Sequence, residues 1–425
     1  MKELRASAGN LADSIATELI RPSQISWAGS NNKDDLRRLS GFSHGYSGIA
    51  VLYFSRSQDP ASIEIGHSYL QSAASLLQSH LHDSPGIYAT VEGLAMALQL
   101  AQHATEGEYE ADLAAIDRLV SRRVRFLTDA ASAEAVGPHL RFDVISGLAG
   151  IGRYLLLAGS RCESDLQVVL DAISGMTHRT SYRGHEVPRF WSNFPPSPSL
   201  PEGSEIRQSG HLNTGVAHGI AGPLALLSIA GLQGVLTSKH WAALECLADL
   251  VVSIAQEDEY GIYWPNYFSL SEWRGSMSPP SRGRTAWCYG TPGISRALAL
   301  ASQAMDRVEL MDVAERSISS VIKVPMDQWG VDHWSICHGW AGIMHTLSYF
   351  QHGEIGPIVQ RVIDEIAGKA ISCFSDGLPN FRVRLDGSGT DVAGYLEGAA
   401  GLALALDEYA GRPKQINWDA PLLLA

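Results

Sequence analysis

Short apolar runs opened by glycine alternate along this chain with longer stretches in which apolar and charged positions divide a helical turn. The short runs follow a recurring polar-Gly-x-x-Gly-apolar unit. It reads HGYSGI at His44, SGLAGI at Ser146, HGIAGP at His218, YGTPGI at Tyr289, HGWAGI at His338 and EGAAGL at Glu397. A seventh, weaker copy is EGLAMA at Glu92, with Met96 at the place of the second glycine. After the second glycine, positions +1 and +5 are apolar in the six good copies, as in Ile49/Tyr53 and Ile294/Leu298. A spacing of four is one face of a helix, so each unit predicts the start of an amphipathic helix. Pro223 and Pro292 fall in first turns, where the missing N–H has no intrahelical partner to lose.

The longer stretches cover approximately 8–20, 64–82, 110–128, 162–178, 239–256, 308–323 and 355–373. Segments such as EADLAAIDRLVSRRVRFL carry charge on one face and Leu, Ile and Val on the other, the mark of outer helices. Helix pairs repeating every roughly 50–70 residues predict a closed ring. The expectation is an all-α fold, an α/α toroid with seven inner and seven outer helices, forming one domain over 1–425. Between Arg183 and Asn213 the rhythm breaks: Pro188, Pro195, Pro196, Pro198 and Pro201 exclude helix. A non-helical insertion with a few strands is expected at 183–213, either a plain surface loop or an element that binds peptide.

Composition narrows the function. The 425 residues are 45% apolar and 18% charged, enough for a large core. A net charge of −13 with no Lys/Arg block argues against nucleic acid. The N-terminus lacks a secretory apolar core, and the longest apolar run, around Ile220 to Ala230, is too short to span a bilayer. Five cysteines (Cys162, Cys246, Cys288, Cys337 and Cys373) are too few for a disulfide scaffold and fit a reducing, cytoplasmic setting.

Ring closure would bring the inner-helix starts to one end, gathering His44, Glu92, Ser146, His218, Tyr289, His338 and Glu397. Simple capping favours Ser or Glu at such places, but three His and a Tyr suit an active-site mouth better. Cys288 and Cys337 each lie two residues before the first glycine of their repeat, and His338 follows Cys337. Two thiols and an imidazole at equivalent depths make a Cys₂His set with one open position, the ligand count of catalytic zinc. The other three cysteines are expected to be small buried hydrophobes. Asp143, Arg284, His218 and Tyr289 add titratable groups at the same mouth, an acid/base set.

With WCYG at Trp287, CHG at Cys337 and glycine repeats along nearly the whole chain, the sequence resembles the lanthipeptide synthetase C (LanC-like) family. The resemblance implies a stand-alone cyclase whose zinc is held by Cys288, Cys337 and His338. It would add peptide cysteine thiols to dehydroalanine or dehydrobutyrine, closing (methyl)lanthionine thioether rings. His218 would then be the acid, with Asp143 orienting it or taking up the thiol proton. Arg284 would hold Asp143 ionised or polarise the substrate carbonyl, and Tyr289 also occupies a family active-site place. The implied substrate is a dehydrated precursor peptide, leader plus core, with a dehydratase as partner and a synthetase complex able to associate with a membrane. Other readings are a LanC-like protein that adds glutathione to dehydroamino acids, and a non-catalytic peptide-binding scaffold holding zinc. A prenyltransferase-like toroid would require a basic diphosphate pocket, and no Lys/Arg cluster stands at the helix starts.

Overall fold

The seven glycine-opened runs form the helices Tyr46–Ser55, Val91–Ala104, Leu148–Ala158, Ala221–Leu232, Thr291–Met305, Trp340–Ser348 and Ala399–Ala410. The structure, a computed structural model, describes residues 2–25, 33–78, 85–89, 91–105, 107–133, 135–197, 200–374 and 392–425. These helices are buried nearly all round, as their composition requires. In Ala221–Leu232 every residue from Ala221 to Ala230 is buried, so the helix needs no polar face. The amphipathic stretches form Lys2–Glu18, Pro60–Gln78, Glu110–Ala133, Glu163–Gly175, Ser238–Ser253, Val308–Lys323 and Gly356–Cys373. In Val308–Lys323, Leu310, Ala314, Ser317, Ile318 and Val321 are buried, a three-and-four spacing that turns one stripe inward. All fourteen expected helices are present; positions 79–82 of the second outer stretch lie outside the described residues.

The chain divides into two compact units, Met1–Val120 with Gly330–Pro421, and Ser121–Trp329 with Leu422–Ala425. The first unit joins the two ends of the sequence. Lys2–Glu18 packs on Ala399–Ala410, and Arg56 bonds Asp407 at 2.7 Å and Asp13 at 3.1 Å. In the second unit the last residues are tied down by buried side chains. Trp287 Nε1 donates to the Leu422 carbonyl at 3.0 Å and Arg296 Nε to that of Leu424 at 2.7 Å.

The glycines serve close packing at the helix starts. A Cβ on Gly48, Gly222, Gly293, Gly342 or Gly401 would clash with the carbonyl of the residue six before it: Phe42, Val216, Trp287, Ile336 or Tyr395. Folding the incoming loop this tightly onto the helix lines the loops up side by side. Their residues two before the first glycine then bond to one another through the backbone. In the first unit Ser43 N–H donates to Tyr88 O (3.1 Å), Leu396 to Ser43 (2.9 Å) and Cys337 to Leu396 (2.9 Å). In the second, Ala217 donates to Cys288 (3.2 Å) and Ile145 to Ala217 (3.4 Å). Cys288 and Cys337 thus hold the same place in their repeats.

The strip also corrects the register of the weak repeat. Tyr88 is its strip residue, which makes position 90 the first-glycine place and Gly93 the second. Gly93 is the third residue of its helix, and its Cβ would lie 3.1 Å from Ile87 O, again six residues back. Glu92 is therefore inside the helix and buried, and Ala89 takes the place before position 90. Among the described residues the place before the first glycine is polar in six repeats; the expected seventh, Glu92, belongs to the helix.

The segment around 183–213 is mixed. A hairpin pairs Arg179–Tyr182 with His185–Pro188, its two turn residues Arg183 and Gly184 both at positive φ (51° and 78°), the signature of a type I′ turn. One short helix, Glu205–Ser209, follows the prolines. The strand His211–Asn213 then pairs with Tyr267–Ser269, and Ser192 bridges both to His211 and to Gly137. That sheet fixes Asn213 beside the loop that leads to His218.

Candidate functional site

The centre of the second unit's mouth is Asp143. It is fully buried and lies in the loop before Leu148–Ala158. Oδ1 accepts the Ser146 N–H at 2.8 Å, and Oδ2 is 2.5 Å from His218 Nδ1. The contact assigns the His218 tautomer: Nδ1–H donates to the carboxylate, which leaves Nε2 as the working nitrogen. Room for this carboxylate comes from Gly147. A Cβ there would stand 2.5 Å from Leu140 O, 2.6 Å from Asp143 N and 2.7 Å from Asp143 Oδ1.

Two residues join the site that the sequence did not single out. His139, in the single 3₁₀ turn His139–Arg141, has Nε2 3.7 Å from Asp143 Oδ2. Its ring stands edge-on to that of His218, centroids 4.8 Å apart. The four-residue offset from His139 to Asp143 was the available signal, hidden because 139–143 reads as a connecting loop. The other is Asn213, buried, whose Nδ2 donates to Tyr289 Oη at 2.9 Å while its Oδ1 accepts the Gly215 N–H at 3.1 Å. Tyr289 is half-buried, its ring centroid 6.3 Å from that of His218.

His139, Asp143 and His218 have the donor types of a two-histidine, one-carboxylate metal site. Geometry favours proton sharing instead. Ligand atoms about 2.1 Å from one tetrahedral ion stand about 3.4 Å apart, whereas His218 and Asp143 are at hydrogen-bond distance. Burial pushes the His139 pKa down, the Asp143 charge pulls it up and the His218 charge pushes it down, with a net lowering. Behind them His211 is fully buried and held neutral, its pKa pushed down to about 4 by burial and by His139.

Arg284 does not join this cluster. It is exposed, and the ion-pair partners of Asp143 among the described residues are His139 and His218. Gly290, at φ 93°, lets the Arg284 carbonyl fold against the start of the Thr291 helix.

Cys288, buried, and Cys337, half-buried in the first unit, are not in disulfides. In that same unit His338 has Nδ1 3.6 Å from Glu397 Oε1 and packs edge-on against His333. A carboxylate beside a histidine is the usual orienting partner of a metal ligand. Cys288, Cys337 and His338 are a candidate metal-binding set. Of the cysteines expected to be inert and buried, Cys162 is buried, but Cys246 and Cys373 are exposed, each on the solvent side of an outer helix.

Residues 40–423 match the family model described as lanthionine synthetase C-like protein. The chain belongs to the lanthionine synthetase C-like family. It is 26% identical over 368 residues to the nisin biosynthesis protein NisC of Lactococcus lactis subsp. lactis, covering 84% of this chain and 81% of that protein. The structure of nisin cyclase superimposes with a TM-score of 0.75 at 22% identity, covering 100% of this chain and 98% of that one. The fold class of this LanC-like chain is the α/α toroid expected from its repeats. None of the helices among the described residues is long and apolar enough to cross a membrane.

Proposed function

We propose that this LanC-like protein is a lanthionine cyclase, working in the cytoplasm on a dehydrated precursor peptide that a dehydratase supplies. The observation that carries the reading is the His218–Asp143 pair, a proton carrier held at 2.5 Å by a fully buried carboxylate and bonded through Ala217 to the backbone of Cys288. We assign zinc to Cys288, Cys337 and His338, since two thiols and an imidazole suit zinc and leave a place for a substrate thiol. Bound zinc would lower the pKa of that thiol and present it as thiolate at neutral pH.

The protein's own groups do the rest. Addition of sulfur to the β-carbon of dehydroalanine leaves an enolate on the neighbouring carbonyl, and His218 Nε2 delivers a proton to the α-carbon. Asp143 holds the imidazole and stabilises its charged form. It does not reach substrate, because it has no exposed surface and both oxygens are engaged. Tyr289 Oη accepts from Asn213 Nδ2, and we assign its own O–H to the developing oxyanion. We assign Arg284, which is exposed, to holding the substrate backbone. The segment between the hairpin and Asn213, which carries the exposed Phe194, is the element assigned to holding the peptide.

The test is His218→Ala. The variant should fold and keep zinc, yet close rings about 10²–10⁴-fold more slowly than wild type. Wild-type speed would move the proton donor elsewhere, with Tyr289 next.

A further inference from the structure

Each ring closure needs a proton removed as well as one delivered. The thiol S–H must break before the sulfur–carbon bond forms, and the α-carbon gains its C–H afterwards. His218, held by Asp143, is assigned the delivery. Asp143 is sealed from substrate. Resting on the cyclase reading, we propose that His139 is a second catalytic imidazole, which accepts the thiol proton while His218 supplies the proton of the α-carbon, the two sharing the Asp143 carboxylate.

The placement carries the assignment. Asp143 Oδ2 lies 2.5 Å from His218 Nδ1 and 3.7 Å from His139 Nε2, with side-chain exposures of 30% and 29% for the two imidazoles and none for the carboxylate. Both rings reach solvent at the same mouth, and one anion faces them both. A single carboxylate stabilises one imidazolium well and a second poorly, since the two cations would stand with ring centroids only 4.8 Å apart. The hydrogen bond makes His218 the ring that Asp143 holds, and it takes the delivering role. His139 remains neutral, and burial favours that state. The titratable groups that bear on His139 are Asp143 from its own loop, His218 from the neighbouring loop and His211 from the strand behind, the last neutral as well.

The protons balance over a turnover. The S–H bond breaks and its proton goes to His139; the S–C bond forms; the proton on His218 goes to the α-carbon. His139 is left charged and His218 neutral with its Nδ1–H still on Asp143, and the site resets through water, which takes the proton from His139 and returns one to His218 Nε2. No oxidant, reductant or further reactant is needed.

The experiment uses the zinc-loaded full chain and a synthetic peptide bearing one cysteine and one dehydroalanine. His139→Phe keeps an aromatic edge against His218 but cannot take a proton; His139→Gln keeps polarity without basicity. Both should retain wild-type zinc content and KM, with kcat down about 100-fold. The deficit should shrink as pH is raised from about 6 to 9, because hydroxide then takes up the thiol proton that His139 would otherwise accept. If the phenylalanine variant does not fold, the glutamine variant carries the same reading. A wild-type kcat in either folded variant overturns the proposal and leaves the cyclase reading standing. A deficit that is constant with pH shows His139 only positions His218, and also overturns it. A wild-type enzyme that closes no ring overturns both.

Discussion

Gly147→Ala should disable the enzyme without touching any group that moves a proton or could bind metal. The backbone at Gly147 has φ −121°, a conformation open to any residue, so the effect is one of space alone. The added carbon would stand 2.5 Å from Leu140 O and 2.6 Å from Asp143 N, both backbone atoms, and 2.7 Å from Asp143 Oδ1. Relief to an ordinary contact of about 3.5 Å requires the Asp143 loop to move by close to 1 Å. The Ser146-to-Asp143 bond at 2.8 Å and the His218 bond at 2.5 Å cannot both survive such a shift. Losing one charge-assisted hydrogen bond costs about 1.5–3 kcal/mol, which corresponds to a rate loss of about 10- to 150-fold. Overpacking would take a further 1–3 kcal/mol from stability, so the rate must be expressed per folded, zinc-loaded enzyme. The assay is thiol consumption in a dehydroalanine peptide, with Gly175→Ala as control, since a Cβ there meets nothing within 4 Å. Full activity in a folded Gly147→Ala protein would show that the Asp143 contacts do not set the rate.

Two other outcomes follow from the site. Cys288→Ala, Cys337→Ala and His338→Ala should each lose most bound zinc by elemental analysis while Cys246→Ala, at an exposed position, keeps it; equal loss in all four would refute the ligand assignment. Acid should destabilise the fold through His211: its pKa is lowered from 6.5 to about 4, so the unfolded chain takes up the proton first and stability falls as pH drops from 6.5 toward 4. By pH 4 the deficit is about 3 kcal/mol, and His211→Phe should shift acid unfolding to lower pH, measured by circular dichroism; an unmoved midpoint would refute it.

Most of this fold can be read from the chain because two periodicities coincide in each repeat: a glycine spacing that closes a loop on its helix, and an apolar stripe that buries it. The weak repeat was misplaced by three residues for a physical reason. Its second glycine, Gly93, is retained because a Cβ there meets backbone, while position 90 is not glycine, so pattern matching fell on the wrong pair. The metal-type residues were legible because cysteine beside His-Gly is chemically distinctive. His139 and Asn213 were not, since what recruits them is a 3₁₀ turn and the pairing of Asn213 with the distant Tyr267 across two strands, neither of which leaves a local pattern. Arg284 illustrates the reverse: of the two roles the resemblance implied for it, pairing with Asp143 or polarising the substrate carbonyl, the first meets a carboxylate already bonded to an amide and an imidazole.

The most direct test of the account is the wild-type protein with zinc and a peptide carrying one dehydroalanine and one cysteine. The account predicts that the thiol disappears, scored by loss of alkylation with iodoacetamide, while peptide mass stays unchanged and a thioether cross-link holds the fragments together after cleavage between the two residues. A thiol that persists in full, or a peptide that gains mass only by taking up added glutathione, would contradict it.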